Sequence, residues 1–264
     1  MKVDLDRVKK YNISGPRYTS YPTALQFEER FNPSVFEDYI LKRNAGARDI
    51  SLYFHIPFCA SLCWYCGCTK VISRNKEDAE KYMNYLVRDM DQVLPLLNHE
   101  SEVVQIHFGG GTPTFLEPDQ IRELGEQIQT RFRINQDSEN SIEIDPRRLT
   151  RDHIKAMREI GLNRASMGIQ DTNREVQEAV HRLQPQEINQ KVVDWLREEG
   201  FNSINVDLIY GLPKQTPQRF EQTLQDVLSL KPDRLAVYSY AHVPWIKPSQ
   251  KLINVEDLPS TENK

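Results

Sequence analysis

Short runs rich in β-branched and other apolar residues alternate along the chain with longer stretches whose apolar positions recur every three or four residues. The short runs, Ser51 to Ile56, Val103 to Phe108, Ser141 to Asp145, Arg164 to Gln170, Ser203 to Tyr210 and Arg234 to Tyr240, read as six strands. The stretches between them read as helices at about Lys76 to Leu97, Pro118 to Phe132, Thr150 to Ile160, Asn173 to His181, Gln186 to Glu199 and Pro217 to Leu228. Gly161 and Gly200 follow their helices as C-caps, while Thr150 with Asp152 and His153, and Thr216 before Pro217, suit helix starts.

Repeated βα units imply a parallel sheet with right-handed crossovers, either an open doubly wound sheet or a barrel, and periodicity alone does not choose between them. Both architectures put ligands at the carboxyl ends of the strands. The unusual residues fall there: the cysteines after the first run, Gly109 to Gly111 after the second, and Asp145 with Pro146 after the third. The flanks read differently. Gly15 to Thr23 (GPRYTSYPT) is dense in Gly, Pro and aromatics, and Lys251 to Lys264 is polar, so neither looks like a core βα unit.

The 264 residues are 39% hydrophobic and 27% charged with a net charge of −4, the composition of an ordinary globular chain rather than a disordered one. No segment approaches the roughly 20 apolar residues of a membrane-spanning helix. The start, MKVDLDRVKK, lacks the apolar run of a signal peptide, so a cytoplasmic protein is expected. Without a long Lys/Arg block there is no electrostatic footprint for nucleic acid.

All four cysteines, Cys59, Cys63, Cys66 and Cys68, fall in one ten-residue window, whereas a disulfide framework would spread them. The first three have the spacing C-x3-C-x2-C, so three thiolates can converge from one short loop, which suits an iron–sulfur cluster. Zinc is the weaker reading, because structural zinc usually takes two separated ligand pairs and no second pair appears downstream. Counting Cys68, two residues past Cys66, as a fourth zinc ligand strains the geometry. Three cysteines on a 4Fe-4S cluster leave one iron open.

The loop from His55-Ile56-Pro57-Phe58-Cys59 through Tyr65-Cys66 resembles the cluster loop of the radical S-adenosylmethionine (SAM) enzymes. That resemblance implies a SAM chelating the open iron and a reduced cluster that cleaves it to a 5′-deoxyadenosyl radical. More closely, GPRYTSYPT, HIPFCASLCWYCGC, FGGGTPT, EIDP, MGIQD, VHRLQ, NVDLIYGLP and YAHVP, in that order from Gly15 to Pro244, resemble the oxygen-independent coproporphyrinogen III oxidases. A related family of haem-carrying chaperones usually lacks the N-terminal block and the extra cysteine, whereas Arg17 to Thr23 and Cys68 are both present here.

The resemblance implies an α/β fold, an incomplete (β/α) TIM-like barrel with about six parallel strands. Residues 1–48 are expected as an N-terminal extension packing on the barrel, 49–246 as its core and 247–264 as a polar tail. The family's helical region after the barrel, part of its active-site cover, is expected to be missing. Cys59, Cys63 and Cys66 are the implied ligands of the cluster, with Cys68 the non-ligating cysteine. Tyr53 and Gly110 belong with the cluster-bound SAM, and Glu143 supplies a carboxylate for its ribose. The family also holds a second SAM, and the matching positions are Tyr65, Gly111, Thr112, Gln170, Arg182, Asp207 and Ala241.

Plainer readings stand beside these. Tyr53 would pack in the core, Gln170 and Asp207 would cap helices, and Arg182 would be a solvated surface charge. His55 reads as structural, and Arg17, with Tyr18 and Tyr21, is a candidate contact for substrate carboxylates. The implied reaction is oxidative decarboxylation of coproporphyrinogen III to protoporphyrinogen IX in haem biosynthesis, by a monomer served by an unidentified electron donor and acceptor. The alternatives are a haem-binding chaperone on the same barrel, and a chain that binds cluster and SAM without turnover.

Overall fold

The computed structural model describes residues 32–43 and 46–260, together with residues 4, 6, 7, 10, 26–28 and 263. Arg17, Tyr18 and Tyr21 lie outside the described residues. The chain divides into two compact units, residues 1–45 and 46–264. Within the first, helix α1 (Pro33–Arg43) is an element the apolar pattern does not single out, and it carries an i,i+4 ion pair from Lys42 to Asp38 at 3.8 Å.

In the second unit, strands β1 (Ile50–Ile56), β4 (Val103–Gly110), β5 (Ile134–Ile144), β6 (Arg164–Gln170), β7 (Ser203–Tyr210) and β8 (Arg234–Ser239) form one parallel sheet in that spatial order. Two short strands, β2 (Phe58–Cys59) and β3 (Val71–Ile72), pair in parallel beside it. The monotonic order distinguishes the barrel from a doubly wound sheet, whose order reverses at a switch point. When every right-handed crossover steps the same way, all helices land on one face and the sheet curls around the other. Among the described residues β1 and β8 do not pair, so the barrel is incomplete.

The helices are α2 (Glu77–Val93), α3 (Pro118–Gln129), α4 (Arg151–Glu159), α5 (Arg174–Ala179), α6 (Gln186–Glu198) and α7 (Pro217–Ser229). Helix α2 stops short of Leu97 and passes into a 3-10 turn, Leu94–Leu96, where Pro95 interrupts the α-helical ladder. The expected caps form: Thr150 and His153 make a capping box, Thr216 accepts from the Arg219 amide at 3.2 Å, and Gly161 and Gly200 take φ of 89° and 80°. Strand β5 begins seven residues before the expected Ser141. Its polar start, Asn135 to Asp137, lies where the register to β4 shifts between Val103↔Ile134 and Gln105↔Glu139, so alternation is lost locally.

Alternation along the strands separates two environments. One face sends Phe54, Ile56, Ile106, Phe108, Ile142, Met167, Val206 and Leu208 into the core beneath the helices, all buried. Each such side chain contributes about 1.5–3 kcal/mol of burial. The opposite face carries Tyr53, His55, His107, Glu143, Ser166, Asn205 and Asp207 into the barrel interior. An interior lined by polar groups is a site rather than a packing layer. The polar tail is also tied down: 3-10 turns at Pro248–Leu252 and Val255–Asp257 bury Gln250 and Ile253.

Candidate functional site

The cluster loop leaves β1 through Pro57 and is pinned at both ends. Val71 donates to the Pro57 carbonyl at 2.8 Å and Ser73 to that of Cys59 at 3.0 Å, which closes residues 60–70 into an excursion. His55 reaches across the base of the excursion, its Nε2 3.1 Å from the Thr69 carbonyl and its Nδ1 2.9 Å from the Tyr53 hydroxyl. The outer part is held by the turn after α5: Trp64 donates to the Val180 carbonyl at 3.0 Å, and the Trp64 and His181 rings stack at 5.4 Å. Lys70 donates to the Cys66 carbonyl at 3.3 Å, and Gln250 to that of Tyr65 at 3.0 Å.

The three sulfurs meet different partners. Cys59 Sγ lies 3.4 Å from the Thr112 hydroxyl. Cys63 Sγ accepts from Arg182 Nη1 at 3.5 Å and from Arg147 Nη2 at 3.6 Å. A hydrogen bond from Cys68 draws the Cys66 thiol well below its ordinary range, and the same contact pushes Cys68 up. Burial raises the Cys59 thiol; Thr112 opposes this, while Cys66 and Cys63 add to it, so the three sulfurs share one electrostatic neighbourhood. Among the described residues, no three His, Cys, Asp or Glu side chains converge as a single ion would need. A four-iron cube spreads its thiolates around itself instead.

The glycine run at the end of β4 is required by close passage of the chain. Gly111 donates to the Ile56 carbonyl at 2.9 Å, and a Cβ there would run into the Pro57 carbonyl. Gly110 has φ of 120°, and a Cβ on it would sit 2.9 Å from the His55 ring. These glycines therefore admit the root of the cluster loop. The Gly110 amide donates to Glu143 Oε2 at 3.2 Å, and the other carboxylate oxygen faces His107 Nε2 at 3.5 Å.

Tyr53 is 60% exposed and stacks on His107 with centroids 5.8 Å apart, so it lines the interior and is not a core residue. Its phenol is raised by burial and then by the Glu143 charge. Arg182 is 7% exposed, which excludes the solvated-charge reading. Besides Cys63, it donates to the Gly168 carbonyl at 2.6 Å and to Asp145 Oδ2 at 3.4 Å. Asp207 caps no helix; it accepts from Ser166 at 3.0 Å and Asn205 at 2.8 Å, and burial raises its carboxyl despite these bonds. Gln170 takes φ of 72°, and its amide crowds the space over Gly168 beside Arg182.

The N-cap of α5 is Asn173 and not Gln170: the Asn173 side chain accepts from the Glu175 and Val176 amides at 3.1 and 3.3 Å, and Asp171 holds the turn before it. Asp171, 1% exposed, accepts from the Asn173 amide at 2.6 Å, Gln215 at 2.6 Å and Thr223 at 3.1 Å. Burial pushes the Tyr65 phenol well up. Ala241 is exposed, and its carbonyl is joined to that of Tyr65 through Gln250. Thr112 and Arg182 thus meet the cysteine loop directly, Gln170 lies beside Arg182 over Gly168, and Asp207 sits within β7 on the interior face. Sequence reasoning missed Asp145 and Arg147 as a pair, and also Gln250 and His181. Asp145 and Arg147 had one signal, an arginine two residues past an acidic strand end in EIDPRR.

The chain belongs to the radical SAM superfamily, whose description matches residues 53–227. Within it, the oxygen-independent coproporphyrinogen III oxidase of Pseudomonas aeruginosa is 46% identical over 263 residues, covering 99% of this chain and 57% of the relative. That of Escherichia coli is 47% identical over 261 residues, covering 99% and 56%. The solved structure of the Escherichia coli coproporphyrinogen III oxidase, described as a radical SAM enzyme, superposes with a TM-score of 0.92 at 44% identity, over all of this chain and 58% of that one. An AdoMet-bound anSMEcpe structure, at TM-score 0.54 and 15% identity over 74% of this chain and 50% of that one, shares the fold alone. The chain spans a little over half the length of the curated relatives it matches.

Proposed function

We propose that this chain carries the cluster- and SAM-binding barrel of an oxygen-independent coproporphyrinogen III oxidase. The observation that carries the reading is the arrangement around Cys63, where the buried Arg182 and the part-buried Arg147 aim N–H groups at one sulfur of the C-x3-C-x2-C loop. Among the described residues Asp145 is the one carboxylate paired with them, so a negatively charged cluster–thiolate assembly fits the surplus. Cys59, Cys63 and Cys66 would hold a 4Fe-4S cluster, which supplies the electron that cleaves SAM. Tyr53, the Gly110 backbone and Glu143 would hold the SAM on the open iron, with Glu143 accepting from its ribose hydroxyls.

Tyr65, Gly111, Thr112, Gln170, Arg182, Asp207 and Ala241 would line a second SAM site. Its support is the contact of Thr112 with Cys59 and of Arg182 with Cys63, the crowding of Gln170 and Arg182 over Gly168, and the part-buried, partnered carboxylate of Asp207. Equilibrium dialysis tests it: Asp207→Asn and Gln170→Ala should lower the SAM count per cluster while leaving the first site filled. A count equal to wild type in folded variants overturns it.

The substrate on this reading is coproporphyrinogen III. Two propionates each lose a β-hydrogen and CO2, with one electron going to an acceptor, giving the vinyl groups of protoporphyrinogen IX. Arg17 is the proposed contact for a carboxylate, the protein acts as a cytoplasmic monomer, and an electron donor reduces the cluster. Anaerobic assay of 5′-deoxyadenosine with and without coproporphyrinogen III tests the reading. Substrate-dependent nucleoside and CO2 release are expected; haem binding without nucleoside formation overturns it in favour of a chaperone.

A further inference from the structure

The buried Arg182 and the part-buried Asp145 and Arg147 form a charged group against the cluster loop. Arg147 and Asp145 are each 16% exposed in their side chains, and Arg147 Nη2 lies 2.5 Å from Asp145 Oδ2. The fork is doubled: Arg147 Nε also donates to Asp145 Oδ1 at 2.9 Å. Asp145 further accepts from the Arg147 amide at 3.1 Å, so one carboxylate fixes both the backbone and the side chain of this arginine. Burial pushes the Asp145 carboxyl up, but the Arg182 and Arg147 guanidinium groups outweigh it and hold it well below the usual range.

Two cations thus face one anion, and the surplus positive charge sits on the side of Cys63. Arg182 Nε is, in addition, a buried nitrogen without a partner among the described residues. A buried surplus charge with an unfilled donor is costly in the protein alone and is relieved by an anionic neighbour. A cluster bound by three thiolates carries net negative charge and gains one more unit on reduction. A cationic donor to one of its sulfurs stabilises the reduced form more than the oxidised one, which raises the reduction potential.

We propose that Arg147, oriented by Asp145, is a positioning residue that hydrogen-bonds Cys63 Sγ and raises the reduction potential of the cluster, easing delivery of the first electron. The inference rests on the cluster reading given above. Its geometric basis is the Asp145 clamp: a long side chain tied at Nε and Nη2, with its own amide bonded to the same carboxylate, is held with Nη2 beside the sulfur.

The test uses the full chain reconstituted anaerobically with iron and sulfide, as wild type, Arg147→Gln and Arg147→Lys. Iron content and thermal midpoint establish that each is loaded and folded, and an EPR-monitored potentiometric titration then reads the midpoint potential. Arg147→Gln is expected to titrate at lower potential than wild type, with Arg147→Lys in between because it keeps the charge and loses the fork. A loaded Arg147→Gln that titrates at the wild-type potential overturns the inference. Should that variant not retain iron, Arg147→Lys decides alone, a lower midpoint supporting and an unchanged one overturning. A wild-type chain that takes up no cluster defeats the proposed function itself, a result distinct from a loaded variant with unaltered potential.

Discussion

His181 Nδ1 lies 2.8 Å from the carbonyl of Leu62, a contact between residues 119 positions apart. His181 takes φ of 55°, a left-handed conformation that a non-glycine residue adopts only when its surroundings hold it there. The Trp64 ring stacked on it and the Trp64 amide bonded to Val180 supply that hold, so the turn after α5 and the cluster loop fix each other. His181→Ala removes the hydrogen bond and the stack and leaves a Cβ at positive φ. About 2 kcal/mol of stability should be lost, from roughly 1 for the bond and 0.5–1.5 for the rings. Urea unfolding gives the figure, and His181→Gly, which relieves the strain, should lose less.

Anaerobic reconstitution should give about four irons and four sulfides per chain. Replacing Cys59, Cys63 or Cys66 by Ala should abolish the broad visible absorbance. Cys68→Ala should keep its iron, since the Cys68 side chain is exposed and serves as a donor to Cys66. Equal loss in all four variants would count against the three-ligand assignment.

Gly111→Ala tests the passage under the cluster loop. The new methyl meets the backbone carbonyl of Pro57, which has no flexible side chain to move aside. A loss of about 1–3 kcal/mol is expected, as for other overpacked sites. Because Pro57 roots the loop, iron retention should fall with it. Circular dichroism melts and iron analysis on the same sample check both.

Two part-buried carboxylates should respond to pH with opposite sign. Asp145 is held below the usual range once folded, so it stabilises the fold above its unfolded pKa of about 3.9, and that stability is lost as pH falls through its folded value. Burial raises Asp207, so its favourable contribution is complete below about pH 3.9 and disappears as pH rises through its folded value. Relative to wild type, Asp145→Asn should therefore be most destabilised near neutrality and recover in acid. Asp207→Asn should gain relative to wild type as pH rises. Thermal melts of the cluster-free chain at several pH values measure both slopes.

The alternation of strands and helices, the caps at Thr150, Thr216, Gly161 and Gly200, and the C-x3-C-x2-C spacing are legible in the sequence by itself. Each depends on residues a few positions apart, whose periodicity and side-chain chemistry act locally. The start of β5 was hidden because Asn135 to Asp137 sit in a register shift, where alternation no longer reports a face. The order of the strands, which makes a barrel and not a doubly wound sheet, is a matter of which edges pair, and local pattern carries no record of it. The same holds for Arg182, whose burial comes from Asp145 and Cys63, 37 and 119 residues away. The glycines of β4 could be recognised as special from sequence, but that their missing side chains make room for Pro57 and His55 followed only from the crossing of two chain segments in space.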